Sequence, residues 1–397
     1  MRNHFDAKYA KTVSSPLAMR VYTSQLLGRE ADLVLHGGGN TSVKIDDTLY
    51  VKGSGWNLDT IEEAGFAPVD LQTLIDMASL EHLSDADMVT QQRDALKNPD
   101  APNPSIEAIL HAIIPFDFVD HTHADAVVTI SNTPDGKARL HELYGDNMLI
   151  IDYVMPGFIL AKTVFDLTRH SDWKSLDGII LMHHGVFTFD NDAQKAYEKM
   201  IAIVSKAEAY LQEHARYTLT CKAKERDDFL LETLQKKLSA LRGCEVFATL
   251  ITTDEAIELS CRDNLETILH SGGLTPEHVI RIKPFGMILD DDPIEGIFDF
   301  TKAYSSYFNT HAKAHHKQLD IAPRYGFIKG MGAVVFAKDA KEQRIISDII
   351  EHTITAMLHA EAMGGWHSLN AAQLFEMEYW ELEQAKLRSH LRINDTL

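Results

Sequence analysis

The stretch Pro104-Ser-Ile-Glu-Ala-Ile-Leu-His-Ala-Ile-Ile-Pro-Phe-Asp-Phe-Val-Asp-His-Thr-His123 constrains the fold more than any other part of the chain. Ser105 after Pro104 is a good N-cap, the run to Ile114 has helix-compatible spacing, and Pro115 stops it. Phe118 to His123 favours extended chain through its Phe, Val and Thr content, and side chains alternate along a strand. His121 and His123 therefore project from one face, where both rings can hold one ion. Glu107 falls in the first turn of the preceding helix, where the helix dipole and nearby backbone N–H groups stabilise its ionised form. To act as a base it needs an opposing influence such as burial.

Two histidines on a strand are most often ordinary residues, so a third ligand decides the matter. Gly178 to Phe189, Gly-Ile-Ile-Leu-Met-His-His-Gly-Val-Phe-Thr-Phe, is an apolar run ending in two histidines and a glycine. Adjacent strand residues face opposite ways, so only one of His183 and His184 can join the pair. Three neutral imidazoles at about 2.0–2.1 Å leave a fourth zinc position open, the pattern of a catalytic site.

Composition limits the remaining choices. A chain of 397 residues has material for two or three domains, and 58 acidic against 38 basic residues give a net charge of −20. That balance argues against nucleic acid or an anionic membrane as partner, and any anionic substrate needs a local site. The amino terminus lacks the apolar core of a signal peptide and no run is long enough to span a bilayer, so the expected location is cytoplasmic. Cys221, Cys244 and Cys261 are unclustered, lack metal-ligand spacing and suit a reducing compartment.

Along the chain, Ala7 to Leu27 reads as helical with an interruption near Pro16. His36-Gly-Gly-Gly-Asn40-Thr-Ser42-Val-Lys44 is a glycine-rich turn between short strands, the second strand running on through Thr48 to Lys52 into Gly53-Ser54-Gly55. Such turns let backbone amides converge on a phosphate, with Asn40, Ser42 and Ser54 adding hydrogen bonds. The third glycine of a dinucleotide fingerprint and the Lys-Ser/Thr of a P-loop are both missing. Leu71 to Leu83 and Asp85 to Leu96 read as helices, Ala126 to Ile130 and Met148 to Val154 as strands, and Gly157 to Phe165 and Asp190 to His214 as helices.

Lys222 to Leu241 is a further helix closed by Gly243, and the domain boundary is expected there: 1–243, then 244–397. The second part mixes strands (Val246 to Ile251, Val279 to Ile282) with helices (Gly296 to His311, Ala340 to Met363). Tyr325 to Glu342 echoes Asp177 to Lys195 without its histidines, as a degenerate repeat or a second strand–turn–helix unit would. His311 and His315, four apart, fall on one expected helix face as solvent-facing residues. Glu376 to Leu387 reads as a charged terminal helix.

Four segments in order, Gly38-Gly39-Asn40-Thr41-Ser42, Gly53-Ser54-Gly55, Pro104-Ser105-Ile106-Glu107, and His121-Thr-His123 with His183-His184-Gly185, resemble the class II aldolase/adducin family. The resemblance covers about the first 215 residues. It implies an α/β fold of three layers, α/β/α, around a mainly antiparallel sheet, followed here by a second, smaller α/β domain. It also implies a homo-oligomer, usually a tetramer, with sites at subunit interfaces. Carried over by motif, the zinc ligands are His121, His123 and His184, the acid/base is Glu107, and a substrate phosphate is held by Asn40, Ser54, Gly55 and Ser105. At Ile106 this chain departs from relatives that have a second serine for the phosphate, a loss that Lys44 or Lys52 could offset. Tyr144 and Tyr153 are candidates for the tyrosine that a neighbouring subunit supplies.

The whole chain, including Leu274 to Pro284 and Glu378 to Lys386, is similar to the aldolase half of bifunctional rhamnulose-1-phosphate aldolase/short-chain dehydrogenase proteins. The implied activity is zinc-dependent cleavage of a ketose 1-phosphate, rhamnulose 1-phosphate first among them, to dihydroxyacetone phosphate and lactaldehyde. Two alternatives stay open. One is epimerisation or dehydration of a sugar phosphate on the same metal site; the other is an adducin-like scaffold without catalysis.

Overall fold

The strands Phe118–Thr122 and Gly178–Leu181 are buried along their whole length, so their sheet requires a cover on each face, and the first part of the chain supplies one on both. A computed structural model describes residues 1–289 and 292–385. Among these, the chain forms two units, one of residues 1–131 and 135–210, the other of 132–134 and 211 onward. The helix Asp228–Arg242 thus falls in the second unit, whereas the sequence places the change after it. Its Leu231, Leu234 and Leu238 pack with Val246, Phe285 and Phe336, which settles its membership by burial.

The first unit is built on β1 (Asn40–Ile45), β2 (Thr48–Lys52), β3 (Phe66–Asp70), β4 (Phe118–Thr122), β5 (Met148–Ile151), β6 (Gly178–Leu181) and β7 (Gly185–Asp190). They form one sheet in the order β3-β2-β1-β4-β7-β6-β5, antiparallel throughout except for the β5–β6 pair. One face carries Val43 and Phe118 against Leu17 and Met19 of the helix Pro16–Gly28 and against Ala193 and Ala196 of the helix Ala193–His214. The other face carries Leu49, Val51, Val119, Ile179 and Phe187 against the helices Leu71–Ser79, Ala108–Ile113 and Phe158–Thr168. The three-layer α/β/α order is therefore present.

Local chemistry explains the boundaries. Ser15 caps the helix that opens with Pro16, its hydroxyl accepting from the Ala18 amide, and Asp70 does the same for the helix beginning at Leu71. Gly243 closes Asp228–Arg242 in the left-handed region, as the sequence suggests. Two apolar runs differ from expectation: Ala126 to Ile130 lies in the helix Asp125–Ser131, and Val279–Ile282 is also helical. Short buried apolar runs look alike as strand or helix, so periodicity cannot separate them.

A buried ion pair ties the outer helix to the sheet. Arg20, fully enclosed, meets Asp120 of β4 at 2.6 Å, and Ser24 and Thr41 hydroxyls lie 2.7 Å apart beside it. On the opposite face, the half-buried Lys44 donates to the carbonyl oxygens of His111, Ile114 and Phe116 at 2.8, 2.8 and 2.7 Å, closing the end of the helix Ala108–Ile113. Burial pulls the Lys44 ammonium down to about 7, against the opposing pull of Asp117. Lys44→Met would leave three carbonyls without that donor. We expect a loss of at least about 1–3 kcal/mol in urea unfolding, and an unchanged midpoint would show that water replaces the ammonium.

The second unit has a sheet in the order β8-β11-β10-β9, with β8 Phe247–Ile251, β9 Met287–Leu289, β10 Tyr325–Ile328 and β11 Gly332–Ala337. β10 and β11 are antiparallel and lead into the helix Ala340–Ala362, the same order as β6, β7 and Ala193–His214, as the sequence echo suggests. Lys283 is buried, with Nζ 2.9 Å from the Tyr304 hydroxyl and 3.5 Å from Glu378, so this polar cluster joins Tyr304 of the helix Pro293–His311 to Glu378 of the helix Ala371–Glu378. His315 is not on a helix face with His311: the helix ends at His311, and the His315 ring lies against His316. Cys221 and Cys261 are joined with Cα atoms 6.2 Å apart, a pairing made by the fold between residues 40 apart in sequence, and Cys244 is exposed. Of the expected terminal helix, residues 386 and 387 lie outside the described residues.

Candidate active site

Strand register assembles the site. β1 and β4 pair so that Asn40 stands opposite His121, while β4 and β7 pair so that Phe187 stands opposite it on the other side. Cross-strand partners share a face, so Asn40, His121 and Phe187 point toward the helix Ala108–Ile113, and the His121 ring stacks on Phe187 with centroids 4.0 Å apart. His123 follows the strand end at Thr122. His184 comes from the turn between β6 and β7, where His183 takes φ +63° and donates its amide to Ser131. Gly185 lets this turn approach: a Cβ there would lie 2.4 Å from the Thr122 carbonyl oxygen and 3.0 Å from the His121 ring.

The result is three imidazoles in mutual contact. Ring centroids of His121, His123 and His184 are 4.9, 5.1 and 5.0 Å apart, and one nitrogen from each lies within 4.8 Å of the others. The Nε2 atoms of His121 and His123 are 3.1 Å apart. Two nitrogens bound to one tetrahedral zinc at about 2.0–2.1 Å would be about 3.4 Å apart, so little movement separates this arrangement from coordination. His121 Nδ1 is 3.0 Å from the Val186 carbonyl oxygen, to which only a protonated nitrogen can donate. That hydrogen bond puts the free lone pair on Nε2, facing the other rings.

Glu107 completes the cluster. It occupies the N-cap position of the helix Ala108–Ile113 rather than its first turn, because Ser105 to Ala108 closes as a separate turn through the Ala108 amide and Ser105 carbonyl. Its carboxylate is 6% exposed, with Oε2 accepting from Asn40 Nδ2 at 2.6 Å and lying 3.5 Å from His121 Nε2. Oε1 is buried, has no hydrogen-bond partner among the described residues, and lies 3.8 Å from His184 Nε2. An enclosed carboxylate oxygen left unsatisfied beside three imidazole nitrogens is a donor set that suits a divalent cation. The residues present therefore fit such an ion.

The other expected site residues divide into two groups. Ser54, Gly55 and Ser105 are brought together by a bridge between Gly53 and Pro104, by the Ser54 amide on the Asn103 carbonyl, and by the Ser105 amide on the Lys52 carbonyl. Ser54 and Gly55 are exposed there, with Gly55 at φ +88°. Asn40 is instead buried, its carboxamide spanning Glu107 and His111, and Ser42 bonds His111 rather than facing the glycine-rich turn. Lys44 holds helix carbonyls, whereas the buried Lys52 donates to the Gly37 carbonyl at 3.2 Å. Tyr144 donates to the Ile203 carbonyl and Tyr153 lies near the His183 ring. His111 is absent from the residues expected at the site; its place one helical turn after Glu107 is the signal that could have found it.

Residues 19–211 match the class II aldolase and adducin N-terminal domain, and residues 225–387 match the class II aldolase second domain. A Bacillus subtilis (strain 168) protein described as uncharacterized oxidoreductase YuxG is 26% identical over 418 residues, covering 98% of this chain and 60% of that protein. The chain thus spans 60% of the length of that relative. Among solved structures, the N-terminal class II aldolase domain of a conserved Thermoplasma acidophilum protein is 37% identical, covering 53% of this chain and 99% of its own, with a TM-score of 0.49. An L-fuculose-1-phosphate aldolase from Thermus thermophilus is 16% identical over 50% of this chain and 96% of its own, with a TM-score of 0.34. With the two domain matches following one another along residues 19–387, this chain belongs to the class II aldolase/adducin family.

Proposed function

We propose that this protein is a metal-dependent aldolase that cleaves a ketose 1-phosphate, rhamnulose 1-phosphate first among them, to dihydroxyacetone phosphate and lactaldehyde. The observation that carries the reading is the convergence of His121, His123 and His184 beside the buried Glu107 carboxylate. A scaffold has no need of such a set, which costs stability unless something is bound.

His121, His123 and His184 would hold the cation, zinc being the expected one because three imidazoles leave its fourth position open. Bound there, a divalent ion supplies Lewis-acid polarisation of the ketose carbonyl. Glu107 would carry a proton to C3 once the C3–C4 bond has broken, while the C4 hydroxyl loses its proton as that carbon becomes the aldehyde. Asn40 holds the carboxylate in place through its amide. The phosphate would rest on Ser54, Gly55 and Ser105, with Lys52, whose backbone carbonyl accepts from the Ser105 amide, as the candidate cation, since Lys44 donates to the helix carbonyls. The assembly is expected to be a homo-oligomer, with a sugar phosphate as its small-molecule partner. Among the described residues, no helix is long and apolar enough to cross a membrane.

The test is product analysis of zinc-reconstituted protein with rhamnulose 1-phosphate, fuculose 1-phosphate and ribulose 5-phosphate. Dihydroxyacetone phosphate with lactaldehyde is the expected result. Conversion without carbon–carbon cleavage would replace this reading with an epimerase or dehydratase, and no turnover of any of the three would remove the aldolase assignment. Lys52→Ala should raise KM for the phosphorylated ketose by about tenfold or more while changing kcat less, since a charge-assisted contact to phosphate is lost.

A further inference from the structure

Three polar residues at alternate positions of β1, Asn40, Ser42 and Lys44, all reach the helix Ala108–Ile113 and its N-cap. That helix carries Glu107 and His111 one turn apart, which brings both onto the same side. Lys44 binds the His111 backbone carbonyl at 2.8 Å and so anchors the turn from which the imidazole projects. The ring is fully buried, with Nδ1 2.8 Å from the Ser42 hydroxyl and Nε2 against Asn40 Oδ1.

Donor and acceptor roles then follow from one end. Asn40 turns its NH2 group toward Glu107, the amide nitrogen donating to Oε2 at 2.6 Å. Its Oδ1 faces the other way and needs a donor, which His111 supplies only with the proton on Nε2. Nδ1 is then an acceptor, and the Ser42 hydroxyl donates to it. Burial pushes the His111 imidazole well below its ordinary value, which keeps the ring in the neutral state that this directed chain requires.

A carboxamide is nearly the same shape when flipped, so packing alone does not choose its orientation. Flipped, Asn40 would set an oxygen lone pair against the Glu107 carboxylate. We propose that His111 is a positioning residue which, as the Nε2–H tautomer held by Ser42, fixes the amide face of Asn40 and thereby orients Glu107 beside the three histidines. The inference rests on Glu107 being the proton carrier of the proposed reaction, and it concerns how that carrier is held.

Long-range 15N spectra of histidine-labelled protein and two substitutions test it. His111 should show a neutral ring with the proton on Nε2, a readout that needs no substrate. With the ketose phosphate that the wild-type protein cleaves, His111→Ala should lower kcat by about 10–100-fold, the usual effect of losing an outer partner, with KM and bound metal near the wild-type values. His111→Gln, whose amide nitrogen can occupy the place of Nε2, should return most of the rate. A proton on Nδ1, an unchanged kcat in His111→Ala, or a folded, metal-loaded His111→Gln as slow as the alanine variant would overturn the assignment. If wild-type protein cleaves no ketose phosphate, the reaction reading fails by itself, and the tautomer still decides whether His111 orients Asn40.

Discussion

Replacing His184 with alanine is expected to remove both the bound divalent ion and turnover, leaving a folded protein. The side chain lies 5% exposed at the β6–β7 turn, and its ring is 5.1 and 5.0 Å from the rings of His121 and His123. Loss of an outer partner of a metal ligand already costs about 10–100-fold in metal affinity or activity, so loss of a ligand should cost more than about 100-fold in affinity. Elemental analysis after dialysis measures this directly. One equivalent of metal retained by His184→Ala would mean that the ion is held elsewhere, and the three-imidazole site would have to be given up. The His183→Ala variant is the matched control, since His183 contributes to the same turn through its backbone amide.

Glu107→Gln should give the converse pattern, with metal retained and turnover lost. Glutamine keeps the size of the side chain and can still accept from Asn40, but it cannot exchange a proton at neutral pH. General acid–base help is typically worth about 10²–10⁴-fold, which sets the expected fall in kcat. The three histidines should still bind one ion per chain. Wild-type turnover in Glu107→Gln would transfer the proton step to another group, whatever the metal content.

These two variants divide the site by chemistry: one removes the cation, the other the proton carrier. Measured together on one substrate panel, they separate a failure of the metal reading from a failure of the acid/base reading. They also guard against misreading a destabilised variant, because metal content and thermal unfolding are followed alongside rate.

Part of this was legible in the residues. Alternation put His121 and His123 on a common face and Pro115 ended the helix before them, whereas His183 and His184, read as adjacent strand residues, lie in the turn between β6 and β7. Those are local rules, and each depends on a few consecutive residues. The same rules misassigned Ala126 to Ile130 and Val279–Ile282, since a fully buried run has no polar face to reveal its period. They also set Glu107 inside a helix, where a separate turn at Ser105 makes it the N-cap residue.

By itself, then, the sequence determined the histidine and carboxylate types, their spacing, and the strand–turn–helix order that could gather them. Only tertiary structure decided the rest: that β1 lies beside β4 so that Asn40 faces His121, that Lys44 serves a helix end while Lys52 donates to the Gly37 carbonyl, and that Ser42 and His111 stand behind Asn40. The physical reason is that hydrogen bonds between side chains 67 to 71 residues apart are set by strand register and helix placement, which depend on burial summed over the whole sheet.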